Sequence, residues 1–416
     1  MLPNPILAEF WVRPADQIET DLASLRAAPI SFHPDVEVPP DFPLPQGKGA
    51  WVLTRHAHIL EVSKTPEVYS SASGITTLEE PPEFTQFFSS MIALDDPRHA
   101  KLRRLVASGF TPRTLARLED AVQDQAALIV DQVCERGECD FVVDVAARLP
   151  LRIVCDLMGV PMSDLDFVFE QSNVILGASD PEYAPEGTDV LTSVLLAGQA
   201  LADLMKDVAA SKEGADSEDL TTLLVNAEID GEKLPYNDIA SFFILLVVAG
   251  NETTRNAISW GLHHLTENPE QRARWMADVE GVDPKAVEEI VRLASPVTYM
   301  RRTVTRDTVL DGQPLAAGDK VLQFYLAANR DEDVFTDPYR FDVGRDPNPH
   351  IGFGGPGPHF CLGAHLARRE ILVMFRELFD RLPDIEAAGQ PDPLKSSFIH
   401  GVKHLPATFT PAAPRS

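Results

Sequence analysis

Prolines at 235 and 269 bracket a run from Tyr236 to Glu267 that contains no proline at all. At 1.5 Å per residue such a run predicts a helix on the order of 48 Å long, enough to cross a whole domain. Its first half, Ile239 to Gly250, is apolar nearly all round. A helix without a polar face is buried in the middle of a large fold, so the rest of the chain has to wrap around it. Hydrophobic residues make up 44% of the sequence, sufficient for a core of that size. Near its middle the run carries Ala249-Gly250-Asn251-Glu252-Thr253-Thr254. Polar groups there are costly unless satisfied or used. Thr253 can bond back to its own helix and bend it. Equally, Glu252 and Thr253 form an acid–alcohol pair able to deliver protons beside a ligand that lies close over Gly250.

The second constraint is Phe353-Gly354-Gly355-Pro356-Gly357-Pro358-His359-Phe360-Cys361-Leu362-Gly363, followed by the start of a helix from Ala364. Glycines at 354, 355 and 357 would let something large and flat approach the backbone. A cysteine before a helix faces unpaired N–H groups and the positive end of the helix dipole, which favour thiolate. That is what a haem iron asks of an axial cysteine. A small buried cysteine, or a glycine turn that binds phosphate, reads from the same residues, although no Lys or Ser/Thr follows the glycines.

Flanking patterns fill in the rest. Between Asp96 and about Leu293 the sequence is mostly helical, with Asp96-Pro97 as an N-cap and first helical residue, and a further helix beginning at Ser217-Glu218-Asp219-Leu220. The proline-rich 29–45 stretch reads as irregular or edge structure, and Ala50 to Thr54 as the first strand. After Pro296 come strands, including an Asp311-Gly312 hairpin and a strand from Lys320 to Tyr325. The expected fold is therefore mainly α with a smaller β region (α+β). It forms one domain over 1–416: a β-rich part to about 75, a helical core from about 96 to 294, and a mixed part from about 296. His99 and Arg103, one turn apart, are either a solvated basic face or a clamp for a carboxylate. Glu289 and Arg292 are likewise one turn apart, a common surface pairing.

Taken in order, the Ala249-Gly250-x-Glu252-Thr253-Thr254 helix, Glu289-x-x-Arg292, Phe335-x-Asp337-Pro338 with Arg340-Phe341, and the glycine loop with Cys361-x-Gly363 resemble the haem-thiolate monooxygenases, the cytochrome P-450 family. Within that family, the residues 240–256, Ser295-Pro296-Val297 with Tyr299-Met300-Arg301-Arg302, 345–350, and Phe398-Ile399-His400-Gly401 are most similar to bacterial hydroxylases of the terminal methyl of methyl-branched lipids, with cholesterol 26-oxidases next.

The resemblance implies haem b with Cys361 as its metal ligand, and O2 as co-substrate. His99, Arg103, Arg302 and His359 would hold the propionates, with Ala249, Gly250, Phe353, Gly354 and Gly363 around the ring. Glu252 and Thr253 would be catalytic. Glu289, Arg292 and Arg340 would form a buried ion network. One departure is that Phe353 stands eight residues before Cys361, where seven is usual. Leu78, Phe87, Met91, Ile92, Val248, Val297 and Phe398 are candidate walls of the substrate pocket, each of which could equally be ordinary core. The implied electron donors are a ferredoxin and its reductase, docking on a basic patch of Lys101, Arg103, Arg104, Arg113, Arg117, Arg368 and Arg369.

Other classes share parts of this pattern. A haem peroxygenase would not need Glu252-Thr253, a haem-based binding protein would oxidise nothing, and a cysteine hydrolase would need a better-placed histidine than His359. The net charge of −27 argues against nucleic acid and anionic lipid as partners. No basic n-region or spanning segment is apparent, and the four cysteines lack C-x-x-C spacing, so a monomer in the cytoplasm without a membrane anchor is expected.

Overall fold

The computed structural model describes residues 2–38, 44–79, 81–110, 112–177, 179–229 and 231–415, with the side chains of 82, 83, 89, 112, 113, 115 and 229 left out. The long helix spans Tyr236–Glu267, 32 residues, as its bracketing prolines predict. Ile239, Phe243, Ile244 and Val247 are all within 1% of complete burial. Around it pack the helices Pro82–Ser89, Arg148–Met158, Val190–Ser211 and Val279–Ala294, and the cysteine-loop helix Ala364–Arg381. Their apolar stripes join it in one continuous core.

Beside this helical body lies a five-stranded sheet, in the order Ile30–His33, Ala50–Leu53, Lys320–Phe324, Tyr299–Val304, Tyr69–Ser70. All pairings are antiparallel except that of Lys320–Phe324 with Ala50–Leu53, so the sheet is mixed. The Asp311-Gly312 turn joins Thr308–Leu310 to Gln313–Leu315, with φ of 45° and 79° at its two central residues, as a tight hairpin requires.

Three expectations are corrected. Ala50–Leu53 is the second strand: Ile30–His33, set between Pro29 and Pro34, precedes it at the sheet edge, where flanking prolines are tolerated. The first 75 residues are richer in helix than in strand, because Ile18, Leu22 and Leu25 form an apolar stripe on the Ala15–Ala27 helix, which docks against the sheet. The Asp96-Pro97 helix begins at Arg98, with Pro97 in the capping position after a cis peptide bond. Asp96 still caps it, since the Ala100 amide donates to Asp96 Oδ1 at 3.0 Å.

Candidate active site

The cysteine loop closes on itself. The Cys361 amide donates to the Phe353 carbonyl at 3.0 Å, and the Gly354 amide to Ile351 at 2.9 Å, with Gly354 at φ 85°. The extra residue between Phe353 and Cys361 is absorbed without losing this closure. Only one of the three predicted glycines faces the cavity that Cys361 enters. A Cβ on Gly355 would lie 2.4 Å from Ser63 Oγ, and one on Gly357 would lie 2.2 Å from the Ser63 carbonyl. These two glycines let the loop lie on the His56–Lys64 helix instead. The open face belongs to Gly354 and to Gly363, whose Cβ position has nothing within 4 Å.

That cavity, of about 240 Å³, lies between the loop and the long helix. Cys361 opens into it from one side, and Leu246, Ala249, Gly250 and Thr253 face it from the other. The surrounding protein raises the Cys361 thiol above its ordinary range, while the Gly363 amide, Arg103 and Arg368 pull it down, and the side chain itself is exposed to the cavity.

At one wall four basic groups converge: His99, Arg103, Arg302 and His359. The imidazoles of His99 and His359 lie 4.2 Å apart, centre to centre. Burial, then Arg302, His99 and Arg103, push His359 down to about 3. Arg302 donates to the Arg301 carbonyl at 2.7 Å, and among the described residues it meets no carboxylate. Burial holds its pKa below the usual guanidinium range, with Tyr325 and Asp95 opposing that shift. A buried guanidinium facing a cavity with no counter-ion is costly unless an anion comes to it. A flat group carrying carboxylates would fit this arrangement, in which Gly363 and Gly250 leave room and the basic wall would meet its acids.

The acid–alcohol pair is divided by the helix. Thr253 lines the cavity, and its hydroxyl donates to the Ala249 carbonyl at 2.7 Å, the back-bond anticipated above. Glu252 is 1% exposed on the other flank, where it pairs with Arg255, which donates to Asn173 Oδ1 at 2.9 Å. Burial raises the Glu252 carboxyl and Arg255 lowers it. Glu252 Oε1 and both amide atoms of Asn251 are buried without a partner among the described residues.

Behind the loop, Glu289 receives Arg292 Nε at 2.7 Å and Arg345 Nε at 3.1 Å. Arg340 was the expected third member, but its side chain is exposed; only its carbonyl takes part, accepting from Arg292 at 3.2 Å and Arg345 at 2.9 Å. The chain reverses at Asp337 with φ 48°, and that turn brings Arg345 onto the carboxylate instead.

A neighbouring trio escaped the sequence reading. Glu288 accepts from Arg368 Nη2 at 3.0 Å and lies 2.6 Å from His350 Nε2. Burial would raise this carboxyl, but His350 and Arg368 hold it at about 2. Arg368 also lies 4.3 Å over the Phe353 ring, so the trio ties the cysteine loop to the Glu289 helix.

Of the candidate pocket walls, Met91, Ile92 and Val297 line the cavity. The other four do not. Leu78 is 39% exposed, Phe87 packs edge-on against Phe88, and Phe398 packs against Tyr299. Val248 lies outside the helix face formed by Leu245, Ala249, Thr253 and Ala257, and packs into the core. Leu245, Phe110 and Met300 are among the further residues of the apolar wall.

Known proteins supply an independent comparison. A model of the cytochrome P-450 family matches residues 196–396. The methyl-branched lipid omega-hydroxylase of Mycobacterium tuberculosis is 48% identical over 406 residues, covering 97% of this chain and 93% of that protein. The steroid C26-monooxygenase of Mycolicibacterium smegmatis is 38% identical, over 89% of this chain and 86% of its own length. A Mycobacterium marinum cytochrome P-450 in complex with pseudoionone superposes with a TM-score of 0.92, at 42% identity and over 97% of each chain.

The chain belongs to the cytochrome P-450 family. It is thereby an oxidoreductase of the monooxygenase type, and its family uses a haem-thiolate cofactor with O2 and redox partners. Among the described residues of this cytochrome P-450, no helix is long and apolar enough to cross a membrane. One acid in its cavity was also missed. Glu370 is buried, hydrogen-bonds with Thr254, and is pushed up to about 8 by burial despite that bond. The sequence signal is a Glu set in the apolar stripe Ala367, Ile371, Met374, Leu378 of the cysteine-loop helix.

Proposed function

We propose that this enzyme hydroxylates the terminal methyl of methyl-branched lipids. The observation that carries the reading is one cavity that combines the Cys361 thiol, a basic wall and a largely apolar wall whose further polar side chains, among the described residues, are Thr253, Thr254, Tyr325 and Glu370. Cys361 would ligate haem iron, His99, Arg103, Arg302 and His359 would hold its carboxylates, and Ala249, Gly250, Phe353, Gly354 and Gly363 would bound the ring. When bound, haem supplies the activation of O2 that an unreactive C–H bond demands.

The chain's own residues do the remainder. Met91, Ile92, Leu245, Leu246 and Val297 exclude water and present the lipid end-on, so that a terminal methyl is attacked before weaker internal C–H bonds. The Thr253 hydroxyl holds a proton at the cavity face, and Glu252 keeps a proton store on the opposite flank, within one residue of it. Glu289, Arg292 and Arg345, with Arg340 contributing only its carbonyl, fix the region behind the loop. Electrons would come from a ferredoxin docking near Arg103, Arg104 and Arg369. Arg117 and Arg368 are matched by Asp156 and Glu288, and the Arg113 side chain lies outside the described residues.

Side-chain oxidation of sterols is the second reading, favoured by the 38% likeness to a steroid C26-monooxygenase. The test takes three steps: the absorbance of the reduced, carbon-monoxide-bound protein, spin-state titration with branched lipids and sterols, and product analysis. A thiolate-type band lost in Cys361→Ser, with terminal alcohols as products, is expected. A wild-type protein without that band, or oxidation at internal carbons only, overturns the reading.

A further inference from the structure

A second cavity, of about 210 Å³, lies against the same long helix. Ile239 and Phe242 line it, while Leu246, Ala249 and Thr253 line the cavity that Cys361 enters. These five residues follow one another at alternating spacings of three and four, so they share one face of the helix. The two cavities therefore sit in line along that face, over about 21 Å from Ile239 to Thr253 at 1.5 Å per residue. Among the residues that line them, Met91 alone is common to both. It belongs to the short turn Ser90–Ala93, which packs on the long helix, and it is 7% exposed. Just before that turn, the Gln86 carbonyl accepts from the Ser241 hydroxyl at 2.6 Å, which ties this segment to the helix.

The second cavity is lined differently from the first. Leu102, Leu224 and Leu234 give it apolar walls, and Arg98 and Asp238 pair on its wall at 3.1 Å. The Arg98 side chain is 59% exposed, so this ion pair lies where the cavity meets solvent. The cavity at Cys361, of about 240 Å³, has to hold the flat cofactor as well as the reacting end of the lipid. A long chain presented methyl-first leaves most of its length to be housed elsewhere. Along the helix face, the next space is the one behind Met91. A methionine side chain is unbranched and flexible, so it can swing aside for a chain and fill the gap when none is there.

We propose that the distal part of a long methyl-branched lipid occupies this second cavity, and that Met91, as the partition, sets the chain length the enzyme prefers. Short chains end against the methionine. Long ones displace it and bring their polar end to the Arg98–Asp238 pair at the solvent side. The inference rests on the function proposed above, and it adds where the rest of the chain lies and which residue measures it.

The test uses the haem-loaded enzyme and two primary alcohols with the same methyl-branched terminus. Their backbones have about eight and about sixteen carbons, since each further buried methylene adds to affinity. Spin-state titration gives the ratio of long-chain to short-chain affinity. Met91→Trp fills the partition and should lower that ratio about tenfold, whereas Met91→Ala opens it and should raise the ratio about threefold. Leu234→Trp, on the second cavity only, should lower the ratio as Met91→Trp does, and it decides the matter if Met91→Trp fails to take up haem. A long chain carrying a diazirine at its far end should, on illumination, label peptides within 85–106 or 234–242. A ratio unmoved by both tryptophan variants overturns the inference, as does labelling confined to other segments. So does a ratio that falls in Met91→Ala as in Met91→Trp, because general disturbance would then explain both. Product regiochemistry is scored separately: terminal hydroxylation with an unmoved ratio sinks only this inference, and internal hydroxylation with the expected ratios sinks only the terminal-methyl reading.

Discussion

Single side chains set the chemistry through burial more than through charge partners. Glu370 shows the principle: its folded-state value of about 8 lies above the ordinary 4.5, so the folded chain retains a proton that the unfolded chain releases between those values. Its contribution to stability is complete below about pH 4.5 and is lost as pH rises through about 8, a change on the order of a few kcal/mol. Glu370→Gln keeps a donor for Thr254 and cannot ionise. The fall in urea midpoint between pH 5 and pH 9 should therefore be smaller in the variant; equal falls would mean that Glu370 does not titrate as described. Thr253 poses a different question, since its hydroxyl is shared between the Ala249 carbonyl and the cavity. Thr253→Ala should leave the absorbance spectrum intact while a larger share of electrons leaves as peroxide, and Thr253→Ser should recover most of the coupling. Product formed per NADH consumed measures both.

At the scale of elements, the loop and its supports work as a unit. Gly357→Ala would drive a methyl into the Ser63 backbone, and such overpacking costs about 1–3 kcal/mol. Gly363→Ala meets no protein atom. Chemical denaturation of the haem-free chains should show the first destabilised and the second nearly unchanged, while haem uptake falls in both. The ion network gives a sharper contrast. Removing Arg345 strips a partner from a carboxylate that is 0% exposed, whereas Arg340 contributes only its backbone. Arg345→Ala should cost about 3 kcal/mol and Arg340→Ala less than about 0.5. Similar losses in the two would restore Arg340 to the network.

Over the whole molecule, charge is distributed by face. Against a net −27, exposed Arg104 stands one residue from Arg103, whose guanidinium donates to the Phe360 carbonyl at 2.6 Å, next to Cys361. A positive spot beside the cysteine loop on an otherwise acidic protein would orient an acidic electron donor. Arg104→Glu should slow reduction of the iron several-fold at low ionic strength and less at high salt. Unchanged stopped-flow rates at low salt would place the donor elsewhere.

Local pattern determined the long helix, since two prolines and an apolar run leave it one set of ends and no solvent face. It determined the cysteine loop and the Asp-Gly hairpin for the same kind of reason: each is written in a few adjacent residues, whereas the basic wall joins His99, Arg103, Arg302 and His359 from distant segments and was implied by resemblance. Tertiary packing decided what depends on contacts between distant segments. Which glycines face the cavity turned on Ser63, nearly three hundred residues away in sequence. Arg345 rather than Arg340 meets Glu289 because of a turn at Asp337, and Thr253 and Glu252 part company because neighbours on a helix point about 100° apart. Spacing tells which side chains can share a face, and only the packed chain tells what lies opposite it.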